Sequence, residues 1–138
     1  MRLMVLTVTA LTLAGASVAS AEPADAAKAP DSITVLFQTG SAAVTPQEAA
    51  KLDQAARLYR DGKPLLMTVA GSADSVGNPV ANLRISQRRA DAVFQGLVDR
   101  GIPAERFQVV AKGETQPAVE TSPGVPEARN RAAVITWK

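Results

Sequence analysis

The sequence contains no cysteine and no histidine. The absence of cysteine excludes disulfide bonds, thiol nucleophiles and lipid attachment to an N-terminal cysteine. The absence of both residues excludes a Ser-His-Asp triad and the zinc sites that are built on Cys and His. Carboxylate pairs remain open, because folding can bring distant acids together, but no sequence element supports one. We therefore expect a protein that is not an enzyme and that uses neither a metal nor a cofactor.

Aromatic residues are scarce and neither sign of charge dominates. Only 4% of the residues are aromatic, so rings on which nucleic-acid bases could stack are few. The 138 residues include 15 basic and 13 acidic side chains without any basic run, and this near balance gives no support for nucleic-acid binding. The length suits a single domain.

A membrane-spanning run is also missing, but the N-terminus has the features of a signal peptide. Its apolar core, residues 3–14, is shorter than the roughly 20 residues that a spanning helix needs. Ala19-Ser20-Ala21 supplies the small residues that a signal peptidase recognises. We predict that residues 1–21 form a signal peptide cleaved before Glu22, so that the exported chain has no transmembrane segment. An uncleaved membrane anchor is the alternative.

The remaining chain predicts strands that alternate with helices. Residues 22–31, rich in Ala, Pro and charge, predict a flexible linker. Two helix starts carry a cap followed by Pro: Thr45-Pro46, which opens a capping box with Glu48, and Asn78-Pro79. The expected elements are strands at 33–37, 65–70, 107–111 and 133–137, helices from Pro46 to about Arg60 and from Pro79 to Gly101, and a loop over 113–128 with a helical turn near 127–130.

This order predicts an α/β domain, an α+β sandwich in which helices pack against a mixed four-stranded sheet. The run Leu65–Ala70 is apolar without alternation, which is typical of a strand covered on both faces. On the second helix, one stripe should face the core, since its members recur at helical spacing. They are Leu83, Ala90, Phe94 and Leu97.

Beside that stripe, Asn82, Ser86 and Arg89 follow one another by about one helical turn and share a strip. The strip begins next to the turn that carries Asp74. Arg89 lies at the edge of the stripe, so we expect a half-buried stem and a guanidinium that reaches this turn. Arg88 should be solvated.

Opposite charges that are fixed at the start of a helix can bind an amino acid. A side-chain carboxylate binds the ammonium of the amino acid, and a guanidinium fork binds its carboxylate. Backbone N–H groups near Gly77 could add donors. Other interpretations stay open. Asp74 could be a turn former or a cap, and Arg89 a solvated residue or a structural partner of Asp74. Asn82 and Ser86 could make local capping or packing bonds.

The pattern Gly71-x-x-Asp74-x-x-Gly77, then Asn82 and Ile85-Ser86-x-x-Arg89-Ala90, resembles the signature of the OmpA-like (OmpA/MotB/Pal) C-terminal domain. Two later pieces also match it: Gly113-x-x-x-Pro117 and Asn130-Arg131. The resemblance covers residues 32–138. It implies a β-α-β-α-β-β fold and a periplasmic, outer-membrane-associated domain of a Gram-negative cell, one that binds peptidoglycan through its diaminopimelate residue without cleaving it.

The resemblance also implies a ligand-binding set. The family's acid and arginine, which hold the ligand's ammonium and carboxylate, correspond to Asp74 and Arg89. The other positions are Asn82, Gly77, Ser86 and Arg131, the last of which could equally form a structural salt bridge.

Three positions depart from the family pattern. Ser72 replaces the usual His, Ala73 the usual Thr, and Ala132 a second Arg. These departures leave room for an alternative function: a periplasmic protein-interaction module, docking envelope proteins, in which peptidoglycan binding is weak or lost.

Overall fold

The computed structural model describes residues 31–138. The predicted signal peptide, residues 1–21, and all but the last residue of the predicted linker lie outside the described residues. The elements follow in the expected order, with short 3-10 turns at Ala104–Arg106 and Ala128–Asn130. They are β1 (Ser32–Leu36), α1 (Pro46–Gly62), β2 (Met67–Gly71), α2 (Pro79–Asp99), β3 (Phe107–Ala111) and β4 (Ala132–Trp137).

The four strands form one mixed sheet in the order β1-β4-β2-β3. Strands β2 and β3 are parallel, and α2 is the crossover between them. Strand β4 pairs antiparallel with β1 on one side and with β2 on the other. The predicted mixed four-stranded sheet is therefore confirmed, and the last strand in the chain is central in the sheet.

The core lies between one face of the sheet and the two helices, which contact each other as well as the strands. Ile33 and Val69 flank Ile135 across three strands, and all three are buried. The helices add Leu52, Ala55 and Ala56 from α1, and Ala90, Val93 and Leu97 from α2. This one-sided cover gives a two-layer α+β sandwich.

Strand β2 differs from its prediction. Its residues alternate between buried and partly exposed, so the expectation of cover on both faces was wrong: both helices lie on the same side. Leu65 and Leu66 precede the strand and are exposed, Leu65 at 78%. Their backbone N–H groups donate to the carbonyl of Lys138, the residue that follows β4.

Both N-cap bonds form as predicted, but the capping box is only half formed, because the Glu48 carboxylate binds Leu36 and Lys51 instead of the Thr45 N–H. Thr45 accepts a hydrogen bond from the Glu48 N–H, and Asn78 accepts one from the Val80 N–H. The Glu48 carboxylate points to the sheet, where Oε2 accepts from the Leu36 N–H at 2.8 Å and from Lys51 at 2.7 Å. Burial raises the pKa of Glu48, but these hydrogen bonds outweigh it and hold the pKa below its usual value. Glu48 thus connects β1 to the first turn of α1.

The inward face of α2 matches its prediction over most of its length. Ala90 and Leu97 are fully buried, and the partly buried Phe94 packs edge-to-face on Phe107, with ring centroids 5.2 Å apart. The prediction for Leu83 was wrong, because this side chain is 50% exposed. The helix extends past the sheet here, and Leu83 lies against Gly113 in the β3–β4 loop.

Candidate functional site

Asp74 lies in the turn between β2 and α2 and is bonded to the segment that leads into β4. Its Oδ2 accepts from Nη1 of Arg131 at 2.9 Å and from the Glu127 N–H at 3.3 Å. The two charged side chains are largely buried, with 9% of Asp74 and 14% of Arg131 exposed. Arg131 also donates from Nε to the Phe37 carbonyl. The ion-pair partner of Asp74 is therefore Arg131.

Arg89 is buried more deeply than its place on the helix suggested. It is 1% exposed, so the predicted half-buried stem was wrong, although the guanidinium does reach the turn. Nη1 donates to the Ser72 carbonyl at 3.0 Å, while Nε and Nη2 donate to the carbonyls of Ser41 and Gln38. The guanidinium carbon lies 5.5 Å from the centre of the Phe37 ring, a cation–π distance.

The charges of this region act on one another. Burial lowers the pKa of Arg89; the Asp74 carboxylate raises it and the Arg131 charge lowers it again, so that the pKa lies below its usual value. Asp74 is thus close enough to affect Arg89 electrostatically without contacting it directly. The site therefore carries both signs of charge, because the carboxylate of Asp74 lies near two guanidinium groups.

A cavity of about 160 Å³ opens at this point, at the end of the sheet where β1 and β2 finish. Asp74, Arg89 and Asn82 line it, so the structure brings three of the predicted site residues to one cavity. The remaining lining residues are Thr39, Gly40, Ala73, Val76 and Ile85. A small cavity with opposite charges and apolar sides can hold the end of one amino acid.

The other predicted site residues lie around this cavity. Ser86 is fully buried; its hydroxyl donates to the Leu83 carbonyl at 2.7 Å and accepts from the Gly113 N–H at 2.9 Å. This geometry favours the packing interpretation of Ser86. Gly77 is exposed in the turn with φ 86°, a conformation that favours glycine.

Close approach of α2 to β2 holds Arg89 in place. A Cβ atom on Gly71 would lie 1.9 Å from the backbone oxygen of Ser86. Glycine at this position lets the helix lie directly on the strand, and Arg89, one turn beyond Ser86, then reaches the end of β2.

The structure shows what surrounds two of the three residues that depart from the family pattern, Ser72 and Ala132. The Ser72 hydroxyl donates to the carbonyls of Asn130 and Ala132, and its N–H donates to Ala132 as well. Ser72 is itself buried, and its hydrogen bonds hold the backbone that leads into β4. Ala132 is buried beside it.

Several contacts of the site could not be read from the sequence. Asn82 donates from Nδ2 to Glu114 at 2.8 Å, and the Asn130 side chain bonds both backbone groups of Val119. Glu114 and Val119 belong to a long loop without periodicity, which offers no pattern to predict such pairs. The Asn130-Arg131 dipeptide was the one available signal.

Two features are absent from residues 31–138. No helix there is long and apolar enough to cross a membrane. In the same part of the chain, no group of three or more acidic residues is placed to hold a metal ion.

The family model described as "OmpA family" matches residues 36–131, which is most of the chain and all of the site described above. This chain belongs to the OmpA family. The match runs from the last residue of β1 to the residue before β4 and includes the turn with Asp74 and the helix with Arg89. It confirms the resemblance found in the sequence.

Curated relatives of this OmpA-family chain include longer proteins. Outer membrane protein A of Yersinia pseudotuberculosis is 40% identical over 106 residues, which are 73% of this chain and 29% of that protein. The probable lipoprotein YiaD of Escherichia coli is 32% identical over 102 residues, covering 74% of this chain and 47% of that protein. The chain thus spans less than half the length of these relatives.

Solved structures agree with the fold. The peptidoglycan-associated lipoprotein from Burkholderia pseudomallei has a TM-score of 0.69 and 27% identity, covering 76% of this chain and 89% of that one. The C-terminal domain of Helicobacter pylori MotB has a TM-score of 0.67 over 77% of this chain and 85% of that one. At 16% identity, the MotB likeness shows the fold alone.

Proposed function

We propose that this domain is a binding module and not an enzyme, and that it binds peptidoglycan non-covalently in the periplasm through the free end of a diaminopimelate residue. The observation that carries the proposal is the cavity that Asp74, Arg89 and Asn82 line together. Membership of the OmpA family supports it, as does the likeness to a structure named as a peptidoglycan-associated lipoprotein.

The Asp74 carboxylate binds the ammonium of the ligand, and the Arg89 guanidinium binds its carboxylate. Both hydrogen bonds to Asp74 described above end on Oδ2, so Oδ1 is the oxygen that takes the ligand ammonium. A guanidinium has five N–H groups, and Arg89 uses one on each of its nitrogens for backbone carbonyls. The second N–H groups of Nη1 and Nη2 take the ligand carboxylate as a fork.

The other site residues position Asp74, Arg89 and the turn between β2 and α2. Arg131 orients Asp74 through their ion pair. Asn82 lines the cavity with its side chain fixed by Glu114, and Ser86 holds the helix against the sheet. Gly77 gives the turn the shape that lets backbone N–H groups at the start of α2 face an anion.

Asp74→Asn tests the assignment, because it removes the charge and keeps the size of the side chain. A charge-assisted contact is worth about 1.5–3 kcal/mol, so affinity for a soluble muropeptide with diaminopimelate should fall about tenfold or more. Asp61→Asn, at an exposed position at the end of α1, is the matched control and should bind like wild type. The measurement is calorimetric titration, with circular dichroism to verify folding.

The ligand itself supplies a second comparison. A muropeptide with lysine in place of diaminopimelate lacks the second ammonium–carboxylate centre, so wild type should bind it poorly. Equal affinity of wild type and Asp74→Asn for the diaminopimelate muropeptide would remove the assignment of Asp74.

A protein-interaction module is the second candidate function. It is favoured by the ion pair that already occupies Asp74, by the 1% exposure of Arg89 and by Ser72 and Ala73 at positions of His and Thr. Sedimentation with purified cell walls separates the two functions. Wild-type protein that pellets with the walls supports the first, and protein that stays in the supernatant supports the second.

A further inference from the structure

The end of the sheet opposite to the Asp74 cavity carries an apolar surface. A groove of about 400 Å³ opens there between the end of α1 and the end of β4. Its lining residues are Leu58, Asp61, Gly62, Pro64, Trp137 and Lys138. Leu65 and Leu66 directly follow Pro64, and Leu65, at 78%, is the most exposed of the large apolar side chains in residues 31–138. Pro64, Leu65, Leu66 and Trp137 together form an apolar tip.

The backbone of this apolar tip is already hydrogen-bonded. The N–H groups of Leu65 and Leu66 donate to the Lys138 carbonyl at 3.0 and 3.4 Å, and the Lys138 N–H donates to the Leu66 carbonyl at 3.0 Å. A backbone group that leaves water costs free energy unless it has such a partner. Because the N–H groups of both leucines are satisfied within the domain, the tip can enter a lipid layer at little cost.

Basic side chains surround the apolar tip. Lys63 and Lys138 flank it in the chain, and Arg60 lies in the last turn of α1. Asp61 is the acidic residue among those that line the groove. This excess of positive charge complements an anionic phospholipid surface, which attracts each basic side chain that comes near it. Leucine and tryptophan flanked by lysine are typical of segments that lie in a membrane–water interface.

Lys63 has a backbone conformation that lysine rarely adopts. It caps the C-terminus of α1 with φ 42° and ψ 59°, in the left-handed region that favours glycine. Glycine at this position would end the helix at a lower conformational cost, so capping does not account for the lysine. A basic group beside the apolar tip does account for it.

We propose that the apolar tip docks on an anionic phospholipid surface, with Leu65 and Leu66 among the lipid chains and Lys63 and Lys138 at the headgroups. This inference goes beyond the proposed function and does not depend on it. The tip lies where β2 begins, and the Asp74 cavity lies where β2 ends. At roughly 3.3 Å per residue, this strand separates them by about 15 Å, so that both can be occupied at once.

The fluorescence of Trp137 tests the proposal, because this residue lines the groove and is the only tryptophan of the chain. The protein is the predicted exported chain, residues 22–138, which lacks the apolar run at 3–14. The probe is a vesicle of phosphatidylethanolamine and phosphatidylglycerol. On addition of vesicles, the emission of wild type should shift to shorter wavelength, and lipids brominated on their acyl chains should quench it.

Replacement of an exposed leucine tests the insertion. Leu65→Ser should weaken vesicle binding about five- to tenfold, because it removes apolar surface that the lipid would cover. The fold should be unaffected at a position so exposed. Leu83→Ser, at the half-exposed leucine of α2, is the matched control and should bind vesicles like wild type.

The charge is tested separately. Lys63→Gln should weaken binding to vesicles with phosphatidylglycerol about fivefold, and it should leave the weaker binding to pure phosphatidylcholine vesicles unchanged. Arg88→Gln, at an exposed basic residue of α2, is the matched control. Asp74→Asn, at the opposite end of β2, should give the wild-type emission shift, so that the two proposals can fail separately.

Three outcomes would overturn the proposal. The first is a wild-type emission that vesicles do not change, and the second is an equal affinity of Leu65→Ser and wild type for the vesicles. The third comes from sedimentation equilibrium without vesicles: a dimer of wild type that Leu65→Ser abolishes would assign the apolar tip to a second copy of the chain instead of a lipid surface.

Discussion

Replacement of Arg89 by Ala should destabilise the domain and not merely weaken a ligand contact. The side chain is 1% exposed and donates to three backbone carbonyls that belong to two separate segments, residues 38–41 and Ser72. Loss of the guanidinium removes the donor from the carbonyls of Ser72 and Ser41, whereas the Gln38 carbonyl keeps its bond from the Ser41 N–H. The predicted place of Arg89 at the edge of the apolar stripe, with a half-buried stem, did not indicate this structural role.

The size of the effect follows from those three bonds. The bond to the Ser72 carbonyl is buried, and an unpaired buried acceptor costs about 1–3 kcal/mol. Water can reach the other two carbonyls, whose bonds contribute about 0.5–1.5 kcal/mol each. Burial lowers the pKa of Arg89, which means that the buried charge itself costs free energy and that its removal returns a part. We therefore expect Arg89→Ala to lower the free energy of unfolding by about 2–4 kcal/mol.

Urea denaturation followed by circular dichroism measures this change by linear extrapolation. Arg88→Ala is the matched control, since Arg88 is the exposed neighbour on the same helix, and it should stay within about 0.5 kcal/mol of wild type. Arg89→Lys should lie between the two, because an ammonium keeps the charge and loses the planar fork. Equal stabilities of Arg89→Ala and Arg88→Ala would refute the structural role.

Three further predictions concern the fold. The pKa of Glu48 is lower in the folded state than its usual value, so its contribution is present above the usual pKa and lost as pH falls through the folded one; Glu48→Gln should be less stable than wild type near neutral pH, and denaturation at several pH values should show the difference shrinking in acid. Gly71→Ala should prevent normal folding, because its Cβ has no room, whereas Gly62→Ala has open space and should fold normally; thermal melts compare them. Leu97→Ala, at a fully buried position, should cost about 2–5 kcal/mol, and the same change at the half-exposed Leu83 should cost far less in urea titrations.

Local chemistry explains which parts of the fold were predictable. The cap at Asn78 and the Pro at 79 define the start of α2 through bonds within a few residues, and the strand predicted at 107–111 is β3 with the same bounds. Helical periodicity correctly placed Ala90 and Leu97 in the core. It failed at Leu83, because periodicity gives a direction around the helix and does not tell where the sheet beneath it ends.

For the site, the sequence predicted residues that line the cavity but not the groups that those residues contact. The spacing of Asp74, Asn82 and Arg89 brought three lining residues to one place, as the cavity shows. The partners of those residues were not predictable, because Asp74 pairs with Arg131, 57 positions away, and Arg89 binds carbonyls up to 51 positions away. Such contacts depend on how the loops meet at the end of the sheet.

The central position of β4 has a consequence for the order in which the domain can assemble. Strand β1 is the first to be synthesised, yet it pairs only with β4. Until residues 132–137 have left the ribosome, β1 has no neighbour and β2 has only β3. Closure of the sheet thus waits for contacts of long sequence separation, which form slowly.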